Sequence, residues 1–281
     1  MTEMPTENMD IPEMTNPVEA TVNLPHFENQ PVEFAEEWLG KAGIAVETQY
    51  QFSNDVAEGC VISQSVPAGQ DISVDAVLTL TVSKGPEACP YEYSQKLTVT
   101  AAAGSTQATA VLYQWEQGDW QEIAFYNAVI GKNGIGPAAE GSRRTPEGTY
   151  RLGVVLTANF VNTNMETRNV SANTCVVDDK NSPYYNMIME KGEVPSGTSF
   201  DQIGQGLTNG TTYATIYIEH NGNGFSSENV VPGKGSAIGV RGRYGALAPT
   251  YGDVDIAYSD MIDLLSRLDI SKQPVIEIFV K

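Results

Sequence analysis

Short apolar runs alternate with polar ones along the chain, and two periodicities sort them. Val32, Ala35, Leu39 and Ala42 recur at helical spacing and give one apolar face. Pro31 suits the first helical position, where no amide hydrogen is needed, and Gly43 suits the cap that ends the helix. Beyond it the period falls to two. Ile44, Val46, Thr48 and Tyr50 alternate with polar neighbours, and Leu78, Leu80 and Val82 alternate with Val77, Thr79 and Thr81. Between them, Gly59 to Gly69 reads as a strand followed by a Pro/Gly turn. The order strand, helix, three strands predicts an α+β module with one helix on a three-stranded sheet.

From residue 97 onward strand patterns dominate. Leu97–Ala101, Ala108–Trp115, Trp120–Val129, Tyr150–Leu156, Ala214–Glu219, Ser236–Arg241 and Val275–Val280 are the expected strands, with Gly118-Asp119 turning a β-hairpin. Ser259 is placed as the N-cap of a helix whose stripe is Ile262, Leu265 and Leu268. This second region is expected to be mainly β with one or two helices. The breaker-rich run Gly85-Pro-Glu-Ala-Cys-Pro90 separates the two patterns. The expected organisation is a disordered acidic stalk at 1–19, a first domain at 20–86, a linker at 87–96 and a second domain at 97–281.

Charge narrows the partners. The 281 residues carry a net charge of -19, which repels nucleic acid and anionic lipid, so no nucleic acid is expected as partner. No apolar stretch approaches the ~18–20 residues of a membrane span. Met1 to Glu19 holds five acids, no base and no apolar leader core, so membrane contact is expected only through a removed N-terminal signal or anchor. Cys60, Cys89 and Cys175 are odd in number and form no CxxC, so no disulfide framework is expected. Asp253 and Asp255 with Asp178, Asp179 or His220 show no recognisable ligand spacing, so no metal site is expected; no cofactor is expected either.

Leu24-Pro25, Ala35, Leu39, Ala42-Gly43, the run Gly59 to Gly69 and Leu80-Thr-Val-Ser-Lys-Gly85 occur in the order of a PASTA domain, which residues 20–86 resemble from end to end. Asn29 stands where that family usually has glycine, and asparagine tolerates the same left-handed backbone. The resemblance implies an extracellular module and a peptidoglycan or muropeptide ligand, or a spacer that binds nothing.

Four further runs, in order across 97–281, resemble the secreted Gram-positive branch of the L,D-transpeptidases. They are Gly131-Lys-Asn-Gly134 with Glu140-Gly-Ser-Arg-Arg-Thr-Pro-Glu-Gly148, Asp178-Asp-Lys-Asn-Ser-Pro-Tyr-Tyr-Asn186, Gly233-Lys-Gly-Ser-Ala-Ile238 and Ser259-Asp-Met-Ile-Asp-Leu-Leu265. The resemblance implies cysteine acyl transfer on peptidoglycan stem peptides, with the histidine at the end of the Gly233–Ile238 strand and the cysteine after a Thr-X-Gly turn. This chain has Arg241 at the first position and Asp253, after Thr250-Tyr-Gly252, at the second. Arginine stays protonated and cannot act as base, and aspartate is a poor nucleophile toward an amide. A thiolate–imidazolium pair is itself an ion pair, so Arg241 with Asp253 would keep its charge pattern and either close the old pocket or floor it.

Arg143, Arg144, Lys132, Tyr184 and Tyr185 are expected on the pocket rim, with Ser236, Gly252 and Asp255 as further ligand-binding candidates. The leading expectation is thus an extracellular or cell-wall protein of a Gram-positive bacterium that binds stem peptides, or scaffolds wall enzymes, without catalysis. The alternatives are an active transpeptidase or hydrolase, the latter using Asp253 and Asp255, and a structural spacer without ligand.

Overall fold

The computed structural model describes residues 21–281, in two compact units divided between Ala88 and Cys89. The expected stalk at 1–19 lies outside the described residues.

The first unit runs β1 (Thr21–Asn23), α1 (Val32–Ala42), β2 (Ala45–Gln51), β3 (Val61–Gln64), β4 (Asp71–Ser73) and β5 (Val77–Ser83). Strands pair in the order β2-β5-β3, with β5 parallel to β2 and antiparallel to β3. Val32, Ala35 and Leu39 turn the buried face of α1 onto Leu78, Leu80 and Val82 of β5 in one apolar cluster. Two details differ from the sequence expectation. Four strands follow the helix, because three-residue β4 pairs with β1 and carries only Ile72 as an apolar signal. Pro31 is the N-cap, with extended ψ of 137°, and helical geometry starts at Val32. Gly43 ends α1 with φ of 77°, the left-handed conformation that a residue without Cβ enters at least cost.

The second unit begins with β6 (Gln95–Ala101), β7 (Gln107–Glu116) and β8 (Asp119–Val129). Residues 95 and 96 of the expected linker therefore already lie in a strand. The hairpin turn is Gln117-Gly118, both at positive φ, and not Gly118-Asp119. Short β9 (Ile135–Gly136) and β10 (Thr145–Pro146) pair with each other, and β11 (Gly148–Thr157) and β12 (Thr167–Asn169) follow. A small side sheet joins β13 (Thr174–Val177) to β14 (Ile188–Glu190) and β15 (Phe200–Asp201). Then come α2 (Ile203–Thr208), β16 (Thr212–Ile218), β17 (Gly239–Arg243), β18 (Val254–Ala257), α3 (Tyr258–Arg267) and β19 (Val275–Val280).

The main sheet has the order β12-β11-β16-β17-β18-β8-β7-β6-β19, and β19 also pairs with β11, so the sheet closes on itself with β12 appended. Closure leaves few free backbone edges. Its interior is the main apolar core, in which Leu97, Leu112, Val155, Ile216, Val240, Ile256 and Ile276 meet Met261, Leu264, Leu265 and Leu268 from α3 and its end. The cap of α3 is Ala257; Ser259 lies one residue inside the helix and makes no capping bond. Ile262, expected in the stripe, is 40% exposed, and Met261 and Leu264 take the inward positions instead.

Candidate functional site

The parallel pairing of β17 with β18 sets Arg241 beside Asp255 in register. Arg241 Nε donates to Asp255 Oδ1 at 2.8 Å and Nη2 to Asp255 Oδ2 at 3.4 Å. The same Nη2 stands 3.1 Å from Asp253 Oδ2. One guanidinium thus bridges two carboxylates, the bidentate contact going to Asp255 rather than Asp253. Arg243 Nε adds a longer contact of 3.6 Å to Asp255.

Asp253 is fixed from both sides. Its Oδ1 accepts from the Gly239 amide at 3.0 Å, and its backbone carbonyl accepts from Thr250 Oγ1 at 2.7 Å. Gly252 makes the turn possible: its φ is 145°, and a Cβ there would fall 2.6 Å from Ile238 Cδ1. Burial pushes the Asp253 carboxyl up to about 6, against the downward pull of Arg241. Burial alone would lower Arg241, but Asp253 and Asp255 outweigh it, so Arg241 stays protonated more firmly than usual. Burial also raises Asp201.

Arg241 and Asp253 line an open cleft of about 460 Å³. Glu140, Asp178 and Asp201 add three carboxylates to its wall, and Arg143 adds a second cation. Phe200, Ala237 and Ile238 supply apolar surface, while Ser236 and Tyr251 complete it. Lys132 Nζ and the Arg143 guanidinium lie 4.4 and 5.2 Å from the Tyr251 ring centroid, so this 64% exposed ring carries two cations. A hydrogen bond from Lys132 holds the Tyr251 phenol below its ordinary range.

The expected candidates separate. Ser236, Arg143, Arg241 and Asp253 meet at the cleft. Tyr185 is no rim residue: it is buried, donating to Glu140 Oε2 at 2.6 Å and accepting from the Gly235 amide at 3.0 Å. Arg144 turns to the Ile135 carbonyl at 3.4 Å and lies outside the cleft lining, as do Tyr184, Gly252 and Asp255. The sequence reading missed Glu140, although Ser236 Oγ donates to it at 2.9 Å, and it missed Asp201 and Phe200. The expected strand from Ser236 starts only at Gly239, because Ala237 sits at φ of 56° with its amide bonded to Asn186 Oδ1.

No cysteine lines the cleft. The buried Cys175 thiol is raised by burial and donates to the Met189 carbonyl at 3.4 Å. His220 is 3% exposed, lowered to about 4 by burial, and faces a separate recess with Glu219 and Glu228. The cleft therefore offers mixed charge and a small apolar wall, suited to a polar ligand bearing both signs.

Residues 22–84 match the PASTA domain family, so the first unit contains a PASTA domain. Among solved structures, the entire extracellular region of the Ser/Thr kinase PrkC from Staphylococcus aureus is similar at 23% identity, with a TM-score of 0.23. That alignment covers 38% of this chain and 41% of the kinase region, so the chain spans under half of the protein it is compared with. No curated protein matches the chain.

Proposed function

We propose that this is an extracellular cell-wall protein in which a PASTA domain accompanies a degenerate L,D-transpeptidase-like domain that binds peptidoglycan stem peptides without acyl transfer. The PASTA domain supports the ligand class and the location. The second half of the reading rests on the sequence runs that resemble the transpeptidases. The observation that carries it is Arg241 bridged to Asp253 at 3.1 Å and Asp255 at 2.8 Å, where that resemblance asks for histidine and, at 253, a thiol. A guanidinium so held cannot take a proton. The open cleft favours ligand binding over a filled, purely structural site. Stem peptides carry carboxylates and an amine, which answer to Arg143 on one side and Glu140, Asp178 and Asp201 on the other.

Intact mass after incubation with a carbapenem tests the chemistry. We expect no adduct; a stoichiometric adduct lost in a Cys60, Cys89 or Cys175 alanine variant would establish a working thiol and sink the reading. Calorimetric titration with a stem tetrapeptide tests the binding. We expect saturable heat abolished by Arg241→Met, and absence of heat would leave a spacer. One observation favours a second reading, a hydrolase: Asp253 titrates at about 6 in a cleft, the range of a general acid. Muropeptide cleavage that disappears in Asp253→Asn would establish it.

A further inference from the structure

A second surface of the same unit lies apart from the Arg241 cleft. Leu97 and Val99 of β6 point into the core, so Lys96 and Thr98 face outward. There, Tyr91 and Tyr93, just before β6, stack at 5.7 Å with 28° between their planes. They meet Trp115 and Trp120, a cross-strand pair flanking the β7–β8 turn. The Tyr91–Trp120 and Tyr93–Trp120 centroids are 5.6 and 5.8 Å apart, and the two tryptophans 5.5 Å. Lys96 Nζ lies 4.6 Å from the Trp120 ring and 3.3 Å from Glu277. Tyr93 OH donates to the same carboxylate at 3.2 Å. Tyr91, 49% exposed, is the solvent face of this platform, while Tyr93, Trp115 and Trp120 are half-buried and Trp115 meets Tyr91 and Trp120 edge-on at 73° and 78°.

Beside Tyr93 opens a cleft of about 70 Å³, lined by Glu92, Arg151, Gln273 and Val275. Arg151 Nη2 donates to Gln273 Oε1 at 3.3 Å, which leaves further donors and acceptors of both side chains unused by each other. Lys96 and Arg151 stand here against Glu92, Glu277 and Glu122, the last across from Tyr113 on the same face, a slight acidic excess in a chain whose net charge is -19. A role in stability alone fits poorly. The Trp115 indole nitrogen is buried without a hydrogen-bond partner, a cost of about 1–3 kcal/mol that phenylalanine would avoid.

We propose that this platform and its adjoining cleft bind a neutral pyranose chain. A pyranose ring has C–H faces that lie on aromatic rings and a hydroxyl edge that needs paired donors and acceptors, and both are present. The small cleft accommodates one substituent of a sugar, not a second ring. A polyanion would meet the repulsion of this acidic surface and of the whole chain, whereas a neutral polymer would not.

The test uses the indole N–H signals of the three tryptophans, Trp38, Trp115 and Trp120, in the full chain. Chitohexaose and maltohexaose are the sugar probes, and a proline-rich decapeptide is the contrary one. We expect at least one sugar to shift Trp115 and Trp120 saturably and leave Trp38 unmoved. Tyr91→Ala and Arg151→Ala should each weaken binding at least about tenfold, Tyr91→Phe should retain it, and none should lower the melting temperature enough to unfold the unit. No shift with either sugar at millimolar concentration, an equal affinity in Tyr91→Ala, or a response only to the proline-rich peptide would overturn the proposal. Asp253→Asn should leave sugar binding unchanged, which separates a failure here from a failure at the Arg241 cleft.

Discussion

The two units bury different chemistry. In the first, the buried residues are apolar from Leu24 to Val82, and the buried polar exception among described residues is Ser83, whose hydroxyl donates to the Val56 carbonyl. The second buries Asp253, Asp255 and His220 beside a much larger apolar core. Each fully buried Leu, Val or Phe contributes about 1.5–3 kcal/mol, while a buried ion costs several kcal/mol before its partner offsets it. The first unit needs no such groups to fold. The second has a core large enough to carry them, and it places its ion triad beside an open cleft.

Removing Arg241 should break that contrast hardest. Arg241→Met leaves two buried carboxylates with reduced partners, and urea unfolding of the second unit should show a loss of about 3–5 kcal/mol. Adding Asp253→Asn and Asp255→Asn to it should restore most of that loss, since a neutral set needs no counter-charge. No recovery would mean that the triad matters by its shape and not by its charge. A purely apolar lesion should behave the same in either unit: Leu80→Ala should cost the first unit about 2–5 kcal/mol through the cavity it leaves, with the second unit's transition unmoved.

Asp253→Asn alone sharpens the comparison with a change of opposite sign. The folded carboxyl titrates at about 6 against an ordinary 3.8, so the folded state holds the proton more tightly between those values. Native stability therefore falls as pH rises from about 4 through 6. The variant should lack this fall and exceed the native protein by about 1–3 kcal/mol above pH 6, converging with it below pH 4. Matching pH profiles would show that Arg241 fully compensates Asp253. The smallest effect belongs to a surface pair: Lys41→Ala removes the exposed contact to Glu37 on α1 and should leave the unfolding midpoint unchanged within error.

How far the sequence could be read follows the same division. The first unit is legible because its signals are local: helical spacing on one face, a glycine where the cap needs left-handed backbone, alternation along β5. In the second, the strands with five or more alternating residues were legible and the shorter ones were not. Helix α2 was hidden by Gly204 and Gly206. Gly204 is there for a tertiary reason, since a Cβ would fall 2.0 Å from the Ser171 carbonyl oxygen. The closeness of Arg241 and Asp253 was expected on charge, but the stronger bond to Asp255 follows from strand register, which periodicity does not fix. Glu140, Asp178 and Asp201 come to the cleft from three different loops and strand ends, so no spacing announces them.

Closure of the barrel has a mechanical consequence. The seam between β6 and β19, the first and last strands of the second unit, is parallel and runs through six paired residues from Val275–Lys96 to Val280–Ala101. Tension entering at Gln95 and leaving at Lys281 would pull these strands past each other along their length. The seam's hydrogen bonds would then share the force in shear and would not open one at a time.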